Sequence, residues 1–313
     1  MPDLTALTDA GPVYRGRAAL DLVASGAGFE AACEWLWTGN EEAAAWSIEG
    51  FGASPRRLGE LLPAGTPPAQ SLLLVLPALA LRDPARFGAA LPAEPARARE
   101  LVLRLAAFLA LGRDPQQVYE AYRTGGVAAT AAKALGATPK GDALRLLDTA
   151  LVLSLDRGLD EAALAARLAS ASGADLYAAL AAGLAVLASP RVSGAVEQTE
   201  SFFRNLENAD AVRTVLTERL RRGEKIPGFG ALPGEATVAH HLIGTAKNGK
   251  GVDVILETVG VLKNAGLGEP GAAVGLCAVV FAAGLPDDSA AAITLLARLA
   301  GLVAHVLEVR ART

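Results

Sequence analysis

The chain has 313 residues, a formal net charge of −4 and a pI near 5.5. This length is enough for one large domain or two smaller ones with cores of their own. Because the charge is negative and no long run of Lys and Arg is present, the sequence argues against nucleic acid as a partner.

The composition favours an all-α protein. Hydrophobic residues make up 52% of the chain and mean hydropathy is +0.33, with Ala and Leu prominent and aromatic residues at only 5%. Ala and Leu are strong helix formers, whereas strand cores favour aromatic and β-branched residues. Extensive helix packing, including a subunit interface, is the expected use of so much apolar surface.

The first predicted helices are bounded by glycine and proline. One covers Phe29–Trp37 and is closed by Gly39, and a second covers Pro95–Leu111 and is followed by Gly112. Proline near the start of a helix and glycine just after its end is the usual asymmetry.

Helical spacing of apolar residues continues along the chain. Leu147, Leu151 and Leu155 recur at intervals of four, and Val252–Val259 and Ile293–Val303 repeat the same period. The uncharged apolar run Gly271–Pro286 is shorter than the roughly 20 residues that span a bilayer, so it predicts a buried helix and no membrane partner. No alternation of strands and helices is found.

Two features favour a cytoplasmic location. Cys33 and Cys277 lie in separate apolar stretches without a CxxC motif or a nearby histidine, which is typical of buried cysteines in a reducing compartment. The first residues, MPDLTALTDAGPVYRG, have neither a basic segment nor an apolar core, so no signal peptide is predicted.

Five blocks, in order, resemble the citrate synthase family. They are similar to the family's "RYRG…FEE…LLLTG", "ADHGLNASTFAARVAASTGADLYAAL", "GPLHGGANE", "RIPGFGHPLY" and "GLP…LFALARTAGWLAHALEQ" motifs. The blocks are Val13–Asn40, Leu155–Leu184, Ser189–Glu197, Lys225–Pro233 and Gly284–Glu308.

The resemblance implies an all-α fold with two domains and an obligate dimer. The large domain would comprise 1–193 and 285–313, and a small inserted domain would comprise 194–284, with the active site in the cleft between them. The family reaction is a Claisen condensation of an acyl-CoA with a 2-oxo acid. It uses an Asp to remove a methyl proton, a His to hydrogen-bond the enolate oxygen, and a second His to polarise the ketone.

The residues at the three matching positions cannot perform these steps. The first His position is Val192, the second, directly after GFG, is Ala231, and the Asp position is Ala273, counted back from Gly284. Arg157 stands where the family has a His that binds the oxo acid. The arginine that follows the second His in the family has no counterpart here. We therefore predict no intact catalytic residue and no metal site.

Few other residues could replace the missing catalytic groups. His240 and His241 are adjacent, so on a helix their side chains point about 100° apart, and an exposed or capping role is expected. His305 lies in a block where the family also has His and is predicted to be structural. Arg157 and Arg191 remain candidates for binding a carboxylate.

The residues that match the coenzyme A-binding turn of the family are better retained. The family contacts coenzyme A through the backbone of its PGFG turn, and Ile226, Pro227, Gly228, Phe229 and Gly230 keep this sequence. Coenzyme A or an acyl-CoA is thus the implied ligand, with no permanently bound cofactor. Glycine in such a turn also has a purely conformational explanation.

Two functions follow from these observations. The first is a catalytically degenerate paralogue that acts by association, as a homodimer or with an intact citrate synthase paralogue. The second is an active CoA-dependent acyltransferase, of the citrate or 2-methylcitrate synthase type, or a lyase, whose rebuilt site uses Arg157, Arg191 or one of the adjacent histidines.

Overall fold

The structure, a computed structural model, describes residues 4–40, 46–48, 50, 52–88, 93–122 and 125–312. This part of the chain contains sixteen α-helices, one short 3-10 helix at Pro84–Phe87 and three short strands. The predicted all-α class is confirmed.

The helices lie in the following order. They are α1 Ala19–Ala24, α2 Phe29–Thr38, α3 Pro55–Gly59, α4 Pro68–Ala80, α5 Glu94–Phe108, α6 Gln117–Ala121, α7 Val127–Ala134, α8 Asp142–Leu153, α9 Glu161–Ala171, α10 Leu176–Leu187, α11 Ser193–Arg204, α12 Ala209–Arg221, α13 Pro233–Ala246, α14 Asp253–Asn264, α15 Ala272–Ala282 and α16 Ser289–Arg310.

The strands form an antiparallel meander that the sequence patterns did not predict. Strands β1 Thr5–Thr8, β2 Gly11–Tyr14 and β3 Arg17–Ala18 pair in chain order. Segments this short give too few alternating residues for a strand signal, and what holds them is tertiary contact. The Tyr14 hydroxyl, for example, donates to the Val152 carbonyl at 2.8 Å.

Helix α16 is the centre of the molecule. It packs against α2, α4, α5, α8, α9, α10, α11 and α15, and nearly all of its residues are buried. By length and composition alone α16 could cross a membrane, but its apolar window is wholly buried inside the protein. The Ala, Leu and Val residues buried on this helix account for part of the high mean hydropathy.

Predicted helix ends differ from the structure where tertiary contacts decide them. Helix α2 ends as expected, because Gly39 adopts a left-handed φ of 78° directly after it. Helix α5 ends at Phe108, three residues before the predicted Leu111, in a tighter turn. Both cysteines are buried, as predicted. The division into two domains stays a prediction.

Candidate functional site

Val192, Ala231 and Ala273 line one cavity of about 500 Å³. They come from three places: the residue before α11, the turn before α13, and the first turn of α15. The cavity also contains Arg157 and Arg191. The structure thus brings together residues that are up to 116 positions apart, 273 − 157, in one cleft.

The Gly-rich turn is held against the loop that precedes α15. The amides of Gly230 and Ala231 donate to the Glu269 carbonyl at 3.0 and 3.3 Å, and the Gly271 amide donates to the Gly228 carbonyl at 2.7 Å. These bonds place Ala231 beside the start of the helix that carries Ala273.

The glycines of this turn have a conformational role. Gly228 and Gly230 have φ angles of 81° and 89°, a region that side chains rarely adopt. A Cβ at Gly228 would also lie 2.7 Å from side-chain carbons of Thr199 and Val274. Of the five residues matched to coenzyme A binding, only Gly228, Phe229 and Gly230 line the cavity. Ile226 is buried, and Pro227 faces a neighbouring depression.

Arg157 is paired inside the cleft. Its Nη1 donates to the Glu235 carboxylate on α13 at 2.8 Å, and both side chains are partly exposed. Glu235 follows the Gly-rich turn closely, in the first turn of α13, so the same segment that carries Ala231 also supplies a partner for Arg157.

Arg298 is the least exposed charged residue of the cavity lining. Its side chain is 2% exposed, and it donates to Asp156 at 3.1 Å and to Asp160 at 2.6 Å. Asp160 also caps α9 by accepting from the Ala163 amide. A lone arginine within the apolar run 289–307 is the sequence signal that could have identified this buried pair.

Asp156, the buried partner of Arg298, stays ionised. Burial alone would raise its pKa, but the Arg298 charge and a hydrogen bond with His305 outweigh burial and hold the pKa at about 2. His305 is buried, with Nε2 at 3.2 Å from the Asp156 carboxylate, in keeping with its predicted structural role.

The other two histidines are not among the residues that line the cavity. His240 Nε2 lies 2.7 Å from the Glu269 carboxylate, and both side chains are about half exposed. Burial lowers the pKa of His241. His240 therefore holds the loop that anchors the Gly-rich turn.

Arg191 differs from the other two arginines of the cleft. It has no hydrogen bond or ion pair within the described part of the chain. Glu161, at the start of α9, also lines the cavity and likewise has no partner there. Three arginines and three carboxylates line the cleft, so the formal charges of the lining cancel.

A model of the citrate synthase C-terminal domain matches residues 4–232, well over half of the sequence. The chain belongs to the citrate synthase family. A "Putative citrate synthase 2" from Mycobacterium tuberculosis is 30% identical over 87 residues, and a citrate synthase from Deinococcus radiodurans is 30% identical over 95 residues. These matches cover 28% and 30% of this chain and only about a quarter of the relatives' own length, 23% and 25%.

Solved citrate synthases share the fold. A ternary complex of carboxymethyl coenzyme A and oxaloacetate with the enzyme from Thermoplasma acidophilum gives a TM-score of 0.79 at 18% identity, covering 98% of this chain and 89% of that one. The enzyme from Thermotoga maritima gives a TM-score of 0.69 at 19% identity, covering 97% of this chain and 86% of that one. At this identity the likeness establishes the fold and leaves the chemistry to the residues of the cleft.

Proposed function

We propose that this member of the citrate synthase family is a catalytically degenerate paralogue that acts through subunit association, as a homodimer or with an intact paralogue, and that an acyl-CoA is its ligand. The observation that carries the proposal is the convergence of Val192, Ala231 and Ala273 in one cleft. These are the positions that the family motifs assign to the two histidines and the aspartate.

Aliphatic side chains at these positions remove the family chemistry. The methyl proton of a thioester is weakly acidic, so its removal needs a positioned base together with a donor on the enolate oxygen. Val and Ala supply neither group. Loss of one acid–base group typically reduces the rate by about 10²–10⁴, and groups that act as a unit are not additive.

The charges of the cleft support the same conclusion. A 2-oxo diacid needs free cations for its carboxylates, but Glu235 occupies Arg157, and Asp156 and Asp160 occupy Arg298. Because an internal carboxylate is always present at its arginine, an incoming anion must displace it first.

Association is supported by an uncharged outer surface. Helix α10 packs between α4 and α9, and all three pack on α16, so their exposed stripes lie on the side away from α16. Neither α4 nor α10 contains a charged residue. We call this surface the outer face. Its exposed residues are Leu73, Pro77 and Leu81 of the α4 segment, Ala178 and Ala185 of α10, and Leu164 and Leu168 of α9.

An exposed apolar surface of this kind is typical of a subunit interface. A second copy of the chain is its proposed occupant, because the face is uncharged and needs no complementary charge on the partner. An intact paralogue with the same fold would present an equivalent face.

The second candidate is an active acyltransferase or lyase with a rebuilt site. One observation favours it: Glu161 and Arg191 both line the cavity without a partner in the described residues. A free carboxylate and a free guanidinium are a base and an anion-binding group, respectively. Neither occupies a position that the family motifs assign to its catalytic residues.

A thiol-release assay separates the two functions. The purified protein, incubated with oxaloacetate or other 2-oxo acids and several acyl-CoAs, is expected to release no coenzyme A above background. Turnover that Glu161→Gln or Arg191→Ala abolishes would establish the rebuilt site. The assay is repeated with an intact paralogue co-expressed, because a heteromeric role predicts co-purification of the two chains and altered turnover of the partner.

A further inference from the structure

Among the residues that the structure describes, the cleft offers one cation without a partner, Arg191, beside an aliphatic floor. Val192, Ala231 and Ala273 form part of this floor together with Val196 and Phe229, and Arg191 directly precedes Val192 in the chain. The other two arginines of the lining are held by internal carboxylates. Within the described part of the chain, the cleft therefore presents apolar surface and a single guanidinium that has no internal partner.

We propose that the cleft binds an aliphatic monocarboxylate, with Arg191 bound to the carboxylate and the chain lying on the floor formed by Val192, Ala231 and Ala273. This ligand class rests on the proposed loss of the family reaction, since a working site would need polar groups at these three positions.

Because Arg191 is the one lining arginine without a partner among the described residues, we expect the ligand to have one carboxylate. A ligand with one carboxylate can use Arg191 without displacing any internal pair. A second carboxylate would meet Glu235, Asp160 and Glu161, all of which line the same cavity. Like charges in a partly enclosed site repel strongly, so a dicarboxylate is disfavoured.

The floor sets the character of the rest of the ligand. Burying apolar chain against aliphatic side chains is favourable in proportion to the area removed from water. A cavity of about 500 Å³ is within the range of small-molecule sites, about 300–1,000 Å³. A ligand without a carboxylate would leave Arg191 unused and bind less tightly.

Three probes of equal chain length test the proposal by calorimetric titration of the full chain: octanoate, octanamide and suberate. Octanoate is expected to bind about tenfold or more tightly than octanamide, since a charge-assisted hydrogen bond is lost with the amide. Suberate is expected to bind more weakly than octanoate. Equal binding of the three probes, or no saturable binding of octanoate, would overturn the proposal.

Two variants separate the head group from the floor. Arg191→Gln is expected to reduce the affinity for octanoate to that for octanamide. The affinity for octanamide itself should not change. Val192→Asp is expected to lower the affinity for both octanoate and octanamide by about tenfold or more, because a carboxylate replaces part of the apolar floor. An Arg191→Gln variant that binds octanoate as tightly as the unmodified protein would assign the carboxylate to another group and overturn the proposal.

A third variant tests the internal carboxylate. Glu235→Gln removes the charge that occupies Arg157, so suberate is expected to gain affinity in this variant and octanoate to change little. Unchanged suberate binding would contradict the role given to Glu235. Thermal denaturation without ligand shows that each variant is folded. The titrations measure ligand binding, whereas the thiol-release assay measures turnover. Absence of octanoate binding would therefore contradict this proposal without contradicting the proposed loss of activity, and turnover would contradict the proposed loss of activity whatever the titrations show.

Discussion

Asp156 and Arg298 form an ion pair, 3.1 Å long, in a region where the two side chains are 0% and 2% exposed. Asp156 also accepts from the Thr5 hydroxyl at 2.6 Å and from the Gly158 amide at 2.7 Å. One carboxylate thus connects the first strand, the turn before α9 and the central helix α16. Arg298 lines the cleft and Asp156 holds it from the core side, so the geometry of the cleft depends on a buried ion pair.

Replacing Asp156 by Asn should destabilise the protein strongly. The change leaves the Arg298 charge buried with only Asp160 as a charged partner, and breaking a buried ion pair typically costs about 3–5 kcal/mol. Urea unfolding measures the loss. The matched control is Asp142→Asn on the surface of α8, where the paired Asp142 side chain is 92% exposed, and a change within about 0.5 kcal/mol is expected. Equal midpoints for the two variants would contradict the inference.

Protonation of Asp156 at low pH should lower the stability of the folded protein. Despite burial, Arg298 and His305 hold the pKa of this group at about 2, below its ordinary value of 3.8. Its stabilising contribution is therefore complete above about pH 4 and is lost as the pH falls through the folded-state value. Unfolding measured between pH 4 and pH 2 should show this loss in the unmodified protein and a smaller one in Asp156→Asn.

Asp148 should have the opposite effect on the pH dependence of stability. Burial and the nearby Glu30 charge raise its pKa to about 6, although the Phe29 amide donates to it. An acid with a raised pKa stabilises the fold below its unfolded value, and that contribution is lost as the pH rises through about 6. Asp148→Asn should therefore be more stable than the unmodified protein at pH 7, by on the order of 2 kcal/mol, with no gain at pH 4. A gain of the same size at both pH values would rule out this explanation.

Gly301 in α16 should be intolerant of alanine. A Cβ there would lie 1.9 Å from the Leu155 carbonyl oxygen, in the turn that carries Asp156. The turn and the central helix would have to separate, at a cost of about 3 kcal/mol or more. Gly260 in α14 is the matched control, because a Cβ there meets nothing within 4 Å. Gly260→Ala should stabilise the protein by about 0.5–1 kcal/mol. Thermal unfolding of the two variants gives the comparison.

The sequence predicted the helices and the convergence on the cleft better than it predicted the charges there. Helical periodicity is local, so α14 and α16 could be assigned from Val252–Val259 and Ile293–Val303. Glu235, by contrast, meets Arg157 across 78 positions, and only the fold brings them together. No spacing rule gives such a pair.

Some tertiary features left a weak sequence signal. Arg298 is the only arginine in the apolar run 289–307 of α16, and a charge in that setting is usually buried and paired. The strands β1 to β3 left none, because segments of two to four residues depend on their contacts with neighbouring elements. Tyr14, for instance, is fully buried, and its hydroxyl is bonded to α8.

The outer face should control the oligomeric state. Leu168 is 72% exposed on α9, and a glutamate there would place a charge in the proposed subunit interface. Light scattering should give a dimer for the unmodified protein and a monomer for Leu168→Glu. Leu256→Glu on α14, which lies outside the outer face, should remain a dimer. A monomer before any substitution would contradict the proposed homodimer and leave the intact paralogue as the partner.

Placing a histidine at position 231 should not by itself produce catalysis. Ala231→His supplies one polarising group in the cleft, but Val192 and Ala273 still provide neither a donor for the enolate oxygen nor a base for the methyl proton. Residues that act as a unit lose nearly all their effect when any one is missing, so the single variant is expected to stay at background in the thiol-release assay with acetyl-CoA and oxaloacetate.

The comparison variant combines Val192→His, Ala231→His and Ala273→Asp with Glu235→Gln, which also frees Arg157 for a carboxylate of the oxo acid. Turnover above background is expected only in this combination, and circular dichroism of each variant separates a silent site from an unfolded protein. If Ala231→His alone gave turnover, the rest of the cleft would already be competent, and Val192 and Ala273 would not be the positions that the family mechanism requires.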